Sequence, residues 1–154
     1  MRLQLTKRTD YAIRASLALA LDDGDGAFLA APRIAERMRI PPSFLPQVLG
    51  DLSRAGLVEA VSGPRGGYRL ARRASDLPLL SLIEAVEGPA RSVRCVLRDH
   101  ECDGAHPCAL HRTWATAQSA FIDVLAGTTL ADLASAQHAL DGARGPQGPE
   151  GTIR

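Results

Sequence analysis

Ser43-Phe-Leu-Pro-Gln-Val-Leu-Gly-Asp-Leu-Ser-Arg-Ala-Gly-Leu-Val-Glu-Ala-Val-Ser-Gly-Pro-Arg-Gly-Gly-Tyr-Arg-Leu70 changes its hydrophobic period halfway along. In the first half Leu45, Val48, Leu49 and Leu52 fall at i, i+3, i+4 and i+7, the buried stripe of an α-helix. That helix is expected to begin near Pro42 or Ser43 and to end before Gly56, a natural C-terminal stop. The second half reads as strand, glycine-rich turn and strand: Leu57–Val61, then Ser62–Gly67, then Tyr68–Ala71, a β-hairpin. Upstream, Ala31 to Arg39 reads as a short helix with Ile34, Ala35 and Met38 on one face, followed by Ile40-Pro41-Pro42. Two short helices at a tight turn, followed by a hairpin, form a winged helix-turn-helix.

Further outward, Thr9 to Leu21 reads as a first helix, with Thr9 as its cap and Asp10 complementing its dipole. Asp22 to Gly26 is a turn. Downstream, a short helix is expected from about Leu80 to Glu87, ended by Gly88 and Pro89. A long helix is expected from about Ala109 to Leu125, with Leu110, Trp114, Ala117, Phe121 and Leu125 along one side. Thr128 is read as the cap of a last short helix through Ala134. The fold class is therefore mostly α with a small β-hairpin wing. A winged helix-turn-helix DNA-binding domain spans residues 1–75. A loop and long helix follow over 76–140, and a Gly/Pro-rich tail over 141–154 reads as disordered.

Composition sets broad limits. The 154 residues are 45% hydrophobic and 23% charged, ordinary for a globular protein. No apolar run approaches the roughly 20 residues needed to span a bilayer. The N-terminus lacks the apolar region of a signal peptide, so a cytoplasmic location is expected, where thiols stay reduced. Residues 1–75 hold twelve Lys/Arg against seven Asp/Glu, whereas residues 76–154 hold six against ten. A basic N-terminal half suits a polyanionic partner such as double-stranded DNA.

On the third helix, the face opposite the apolar stripe carries Ser43, Pro46, Gln47 and Arg54. Gln47 can pair with an adenine edge, and Ser43 can reach a base or a phosphate. Arg65 sits at the wing tip, where minor-groove or phosphate contact is expected. Arg2, Lys7, Arg33 and Arg69 are candidate phosphate clamps, which position rather than specify. The same residues also suit ordinary solvated charges of a small domain, and winged helices also serve as protein-interaction modules.

All three cysteines, Cys95, Cys102 and Cys108, fall within fourteen residues, and His111 follows one helical turn later. Three thiolates and an imidazole can hold a thiophilic metal or an iron–sulfur cluster. An odd cysteine count argues against a disulfide framework. No nucleophile–base pair, Walker loop or Rossmann fingerprint appears, so no enzyme is expected.

The opening Met-Arg-Leu, Thr9-Asp-Tyr-Ala-Ile-Arg-Ala15, Leu52-Ser-Arg-Ala-Gly-Leu-Val58, Gly63-Pro-Arg-Gly-Gly-Tyr-Arg-Leu70, the three cysteines and Thr129-Leu-Ala-Asp-Leu133 together resemble the Rrf-two family of bacterial winged-helix transcriptional regulators. The resemblance covers about residues 1–140. It implies a homodimer held by the long helix and two wings on a pseudo-palindromic operator. It also implies an iron–sulfur cluster on Cys95, Cys102 and Cys108. The implied function is a regulator, read as a repressor, that senses nitric oxide, redox state or iron and cluster status. His111 matches the fourth ligand of members with 2Fe–2S clusters, and Asp10 matches the carboxylate of members with 4Fe–4S clusters. Three departures stand out. Six residues separate Cys95 from Cys102 where IscR-like members have five. Ser62 replaces a wing arginine, for which Arg65 can substitute. Pro46 replaces a polar residue of the reading helix. The alternative is a winged-helix regulator that uses the cysteines as a zinc site or a thiol redox switch, with Arg94 or Arg98 supplying a positive field. A zinc site, however, usually includes a Cys-x-x-Cys knuckle, which is absent.

Overall fold

The computed structural model describes residues 5–22, 28–64, 66–90, 97 and 107–143. The elements are α1 (Lys7–Leu21), α2 (Ala31–Met38), α3 (Leu45–Arg54), β1 (Val58–Val61), β2 (Gly67–Leu70), a 3-10 turn (Ala74–Asp76), α4 (Leu79–Glu87), α5 (His111–Gly127) and α6 (Leu130–Ala143). The chain is thus mostly α with a two-stranded antiparallel wing, as expected.

Helix α1 is the hub. Its buried face is built from Ala12, Ala15, Ala18 and Leu19, and such small residues let neighbours approach closely. It packs against α2, α3, α4, α6 and β2. The expected cap at Thr9 is corrected by one turn. Thr6 is the N-cap, its hydroxyl accepting from the Thr9 amide at 3.1 Å. Thr9 is itself buried in the helix, where its hydroxyl donates to Glu87 at 2.6 Å.

Helix α2 ends on Arg39, a non-glycine residue in the left-handed region (φ 53°). The Ile40 amide returns to the Ala35 carbonyl at 2.9 Å while the Ile40 side chain is buried. This is a Schellman-type end with its hydrophobic contact. The expected start of the third helix also moves. Residues 42–44 form a turn closed by Phe44 N–H to Pro41 C=O, and α3 begins at Leu45. Pro46 fits there because first-turn amides have no intrahelical partner to lose. Leu45, Val48, Leu49 and Leu52 are buried as the periodicity implies. Gly56 (φ +68°) ends the helix, and the Leu57 amide reaches back to the Leu52 carbonyl.

The wing pairs Val58 with Leu70, Glu59 with Arg69, Ala60 with Tyr68 and Val61 with Gly67. Leu29 adds a third short rung, exchanging hydrogen bonds of 2.8 and 2.9 Å with Tyr68. That close approach requires Gly67, where a Cβ would lie 2.6 Å from the Leu29 carbonyl oxygen.

The last helix is longer than expected and capped one residue later. Thr129 and Asp132 form a reciprocal capping box, with Thr129 N–H to Asp132 at 2.8 Å and Asp132 N–H to Thr129 at 3.2 Å. Thr128 instead closes the end of α5, its hydroxyl donating to the Val124 carbonyl at 2.8 Å. Helix α6 then runs through Ala143, three residues into the segment read as a tail. Alanine-rich sequence after Leu133 contains no stop signal to end it earlier. The rest of that segment, 144–154, lies outside the described residues. Helix α5 packs on α4 but buries only Ile122. Trp114, Phe121 and Val124 are 40%, 49% and 66% exposed. Among the described residues no helix is long and apolar enough to cross a membrane.

Candidate nucleic-acid interface and cysteine loop

Helix α3 projects an uncharged face. Ser43, Pro46 and Gln47 are exposed around its first turns, and at Gly50 the Arg54 guanidinium lies 3.7 Å from where a Cβ would stand. The surface is fixed from behind by the apolar stripe and from the side by Asp51. Asp51 is buried, and its carboxylate bonds Arg8 of α1 (Nε at 3.0 Å, with the terminal nitrogen closer still) and Arg54 of its own helix. Arg54, expected as a DNA contact, is therefore tethered to Asp51, with its outer surface still open to solvent.

Arg69, expected as a phosphate clamp, is also held. It ion-pairs with Glu59 across the hairpin at 2.7 Å and lies over the Phe28 ring at 4.7 Å from the centroid. Lys7 and Arg33 are exposed on α1 and α2. The structure adds exposed cations that the residue pattern did not single out: Arg39 at the α2–α3 turn, and Arg72 and Arg73 beyond the wing. Position in sequence was the available signal, since each flanks an element of the reading module. Arg2 and Arg65 lie outside the described residues.

Of the expected metal ligands, Cys95 and Cys102 also lie outside the described residues. Cys108 is half-buried on the turn that leads into α5, and its carbonyl accepts the amide of His111, the first residue of that helix, at 3.0 Å. The other end of the cysteine segment is also anchored to α5: Gln118 donates to the Ala90 carbonyl at 3.5 Å, and the Ala90 amide bonds Glu84 of α4 at 3.0 Å. His111 and Gln118 are about 10 Å apart along the helix axis, so one helix anchors the described residues on both sides of the cysteine segment. Asp10 is half-buried in the first turn of α1 and ion-paired to Arg14 at 2.8 Å. Arg14 in turn reaches the Met38 carbonyl at the end of α2.

A junction that sequence reasoning missed links the two regions. Glu87, the last residue of α4 before the cysteine segment, accepts hydrogen bonds from the hydroxyls of Thr6 and Thr9. These bonds, Thr6 first and Thr9 second, hold its carboxyl below the usual carboxylate range, aided by the charge of Arg8 and opposed by partial burial. The first turn of α1 therefore touches the end of α4 through Thr6 and Thr9 and the reading helix through Arg8. No local pattern signals this, because Thr9 and Glu87 lie 78 positions apart.

Known proteins bear on this arrangement. A family model described as an iron-dependent transcriptional regulator, Rrf2, matches residues 5–136. The chain is 34% identical over 142 residues to a regulator of the helix-turn-helix type from Neisseria meningitidis, covering 92% of this chain and 95% of the relative. It is also 34% identical to the transcriptional regulator IscR of Photorhabdus laumondii, over 90% of this chain and 84% of that one. Among solved structures it is similar to CymR, the global cysteine regulator of B. subtilis (TM-score 0.74, 28% identity, 87% of this chain and 98% of that one). These relatives are transcriptional regulators rather than enzymes. The winged helix-turn-helix, its helical scaffold and these matches together show that the chain belongs to the Rrf2 family of transcriptional regulators.

Proposed function

We propose that the protein is a homodimeric, DNA-binding transcriptional repressor whose operator affinity responds to an iron–sulfur cluster. The DNA-binding domain is residues 1–75, and the sensing and dimerising unit is residues 76–140. Cys95, Cys102 and Cys108 hold the cluster, with His111 (2Fe–2S) or Asp10 (4Fe–4S) completing the set. The donor set fits the group: the half-buried Cys108 thiol sits three residues before His111, and the positive end of the α5 dipole suits a site of net negative charge. Bound there, a cluster with one weak oxygen or nitrogen ligand supplies a centre open to nitric oxide, oxygen or iron loss.

The single observation that carries this reading is the shared first turn of α1. Thr6 and Thr9 bond Glu87, where the cysteine segment departs, and Arg8 bonds Asp51 of the reading helix. Asp10 lies in the same turn. A change at the loop that shifts α1 therefore bears on α3. In DNA binding, Ser43, Pro46 and Gln47 face the major groove, and Arg65 at the wing tip faces the minor groove or a phosphate. Arg2, Lys7, Arg33, Arg54 and Arg69 neutralise phosphates. The exposed Trp114, Phe121 and Val124 of α5 supply the dimer surface, and two-fold symmetry makes the operator pseudo-palindromic.

Anaerobic purification with visible spectroscopy and native mass measurement tests the cofactor and dimer together. A brown, dimeric protein is expected, and a colourless protein with stoichiometric zinc overturns the cluster. His111→Ala or Asp10→Ala should alter the spectrum; if neither does, both assignments fail. Operator affinity should differ between cluster-loaded and cluster-free protein, because only a state-dependent difference makes a switch. Equal affinities reject the sensing role.

A further inference from the structure

From Ile40 to Gly50 the chain carries no charged side chain, and this is the stretch that forms the turn and first two turns of the reading helix. The side chains it exposes are those of Pro42, Ser43, Phe44, Pro46 and Gln47. In the major groove guanine is read chiefly by Arg or Lys and cytosine by Asp or Glu. Neither type occurs within this stretch, although the exposed Glu36 of α2 lines the groove beside Pro42 and Pro46. Arg54, at the far end of α3, bonds Asp51 through one terminal nitrogen while the rest of its guanidinium lies exposed beside Gly50, and Arg39, exposed before the turn, is the left-handed cap of α2.

The Ser43 hydroxyl can serve any base and so does not discriminate, which leaves two base features that this surface can single out. The Gln47 amide matches the N6/N7 edge of adenine, and apolar surface matches the C5-methyl of thymine. The apolar surface is present beside Gln47. Pro46 is its immediate neighbour on the side facing α2. There Pro42, Leu45 and Pro46 join Ala31, Pro32 and Ala35 along a groove of about 430 Å³. On the side facing α1, Phe44 is 50% exposed and its ring leans on Tyr11, with centroids 5.7 Å apart. Exposed Arg33 and Arg39 flank this neutral strip on α2, so cations meet phosphates where the strip meets bases. Gly50 adds no side chain of its own to the strip, and the Arg54 guanidinium lies beside it, 3.7 Å from where a Cβ would stand.

We infer that α3 is an A·T-reading helix, in which Pro46, with Pro42 behind it, contacts the C5-methyl of a thymine next to the adenine paired by Gln47. Any G·C preference of the operator then comes from elsewhere in the protein. The inference rests on the DNA-binding reading above and names what that reading leaves open, the base composition under the helix.

The test begins with selection of bound sequences from a random duplex library. The full-length protein is used, both as purified anaerobically and after chelator treatment. Replacing each thymine of the selected duplex in turn by deoxyuridine removes only the methyl group. At one or two thymines per half-site affinity should fall about four-fold, the value of burying one methyl-sized group. Pro46→Ala should weaken binding to the thymine duplex by a similar factor and should be indifferent to deoxyuridine at the same position. In a repeated selection, Gln47→Ala should relax the adjacent adenine. Circular dichroism checks that both variants fold. Insensitivity to deoxyuridine at every position, or relaxation of a G·C pair by either variant, overturns the inference while leaving sequence-specific binding intact. Failure of both protein states to select any duplex overturns the DNA-binding reading, and this inference with it.

Discussion

At the scale of single residues, the polar groups that matter most are those the fold has taken out of water. Ser16 is fully buried on α1, and its hydroxyl has no partner among the described residues. Ser16→Ala should therefore raise stability by about 1 kcal/mol, the desolvation released when an unsatisfied hydroxyl is removed. Urea unfolding measures it, and a loss of stability would show that the hydroxyl is satisfied in solution. Glu87 gives a pH dependence. Its folded-state pKa is lowered by the Thr6 and Thr9 hydroxyls, so its contribution is complete above the ordinary carboxylate range. That contribution disappears as pH falls through the depressed value. Glu87→Gln should remove this part of the acid-side loss of stability, seen as a flatter profile as pH falls through and below the ordinary carboxylate range; a profile parallel to that of the parent protein rejects the role. How far such residues could be read beforehand varied with distance along the chain. Gln47 and Ser43 were placed on the outer face by helical phase alone. Asp51 reads as one more surface charge until Arg8, 43 positions away, is seen to meet it.

At the scale of elements, periodicity was legible wherever burial imposes it, and boundaries were not. The Leu45–Leu52 stripe is a consequence of packing against the core, so its spacing survives in the sequence. Caps are chosen among chemically equivalent neighbours by tertiary packing: Thr6 and Thr9 both have the right hydroxyl, as do Thr128 and Thr129. In the first pair Thr9 is the one that turns into the core, whereas Thr128 and Thr129 are both half-buried and divide between closing α5 and capping α6. Thr129→Ala should cost about 1 kcal/mol by opening the capping box of α6. The same change at Thr128 should cost less, a contrast that thermal unfolding can measure. The wing gives a sharper expectation. Gly67→Ala places a Cβ 2.6 Å from backbone that cannot retreat without breaking the Leu29–Tyr68 bonds. A loss of about 2–3 kcal/mol is expected, in the range of an overpacked site. DNA affinity should weaken with it. Unchanged stability would mean that the Leu29 rung is dispensable.

At the scale of the whole molecule, the winged module was legible because its parts lie in consecutive order, each with its own local signal. The linkage from loop to reading helix was not, since it runs through hydroxyls and guanidiniums brought together only by folding. Trp114, Phe121 and Val124 leave large apolar surface exposed along α5, the face proposed above for the dimer. Phe121→Glu should convert a dimer into a monomer in native mass measurements and abolish operator binding, because a single half-site contact is too weak to hold. A monomeric parent protein, or a dimer that tolerates the change, places the interface elsewhere. One last consequence concerns engineering. The wing is joined at Tyr68 to Leu29, on the far side of α2 and α3 in the chain, and at Arg69 to Phe28. It is therefore not an exchangeable cassette. A chimera that imports residues 58–70 from another regulator would keep the backbone rung to Leu29 only if glycine stands at position 67, and the ring contact with Phe28 only if an arginine stands at 69.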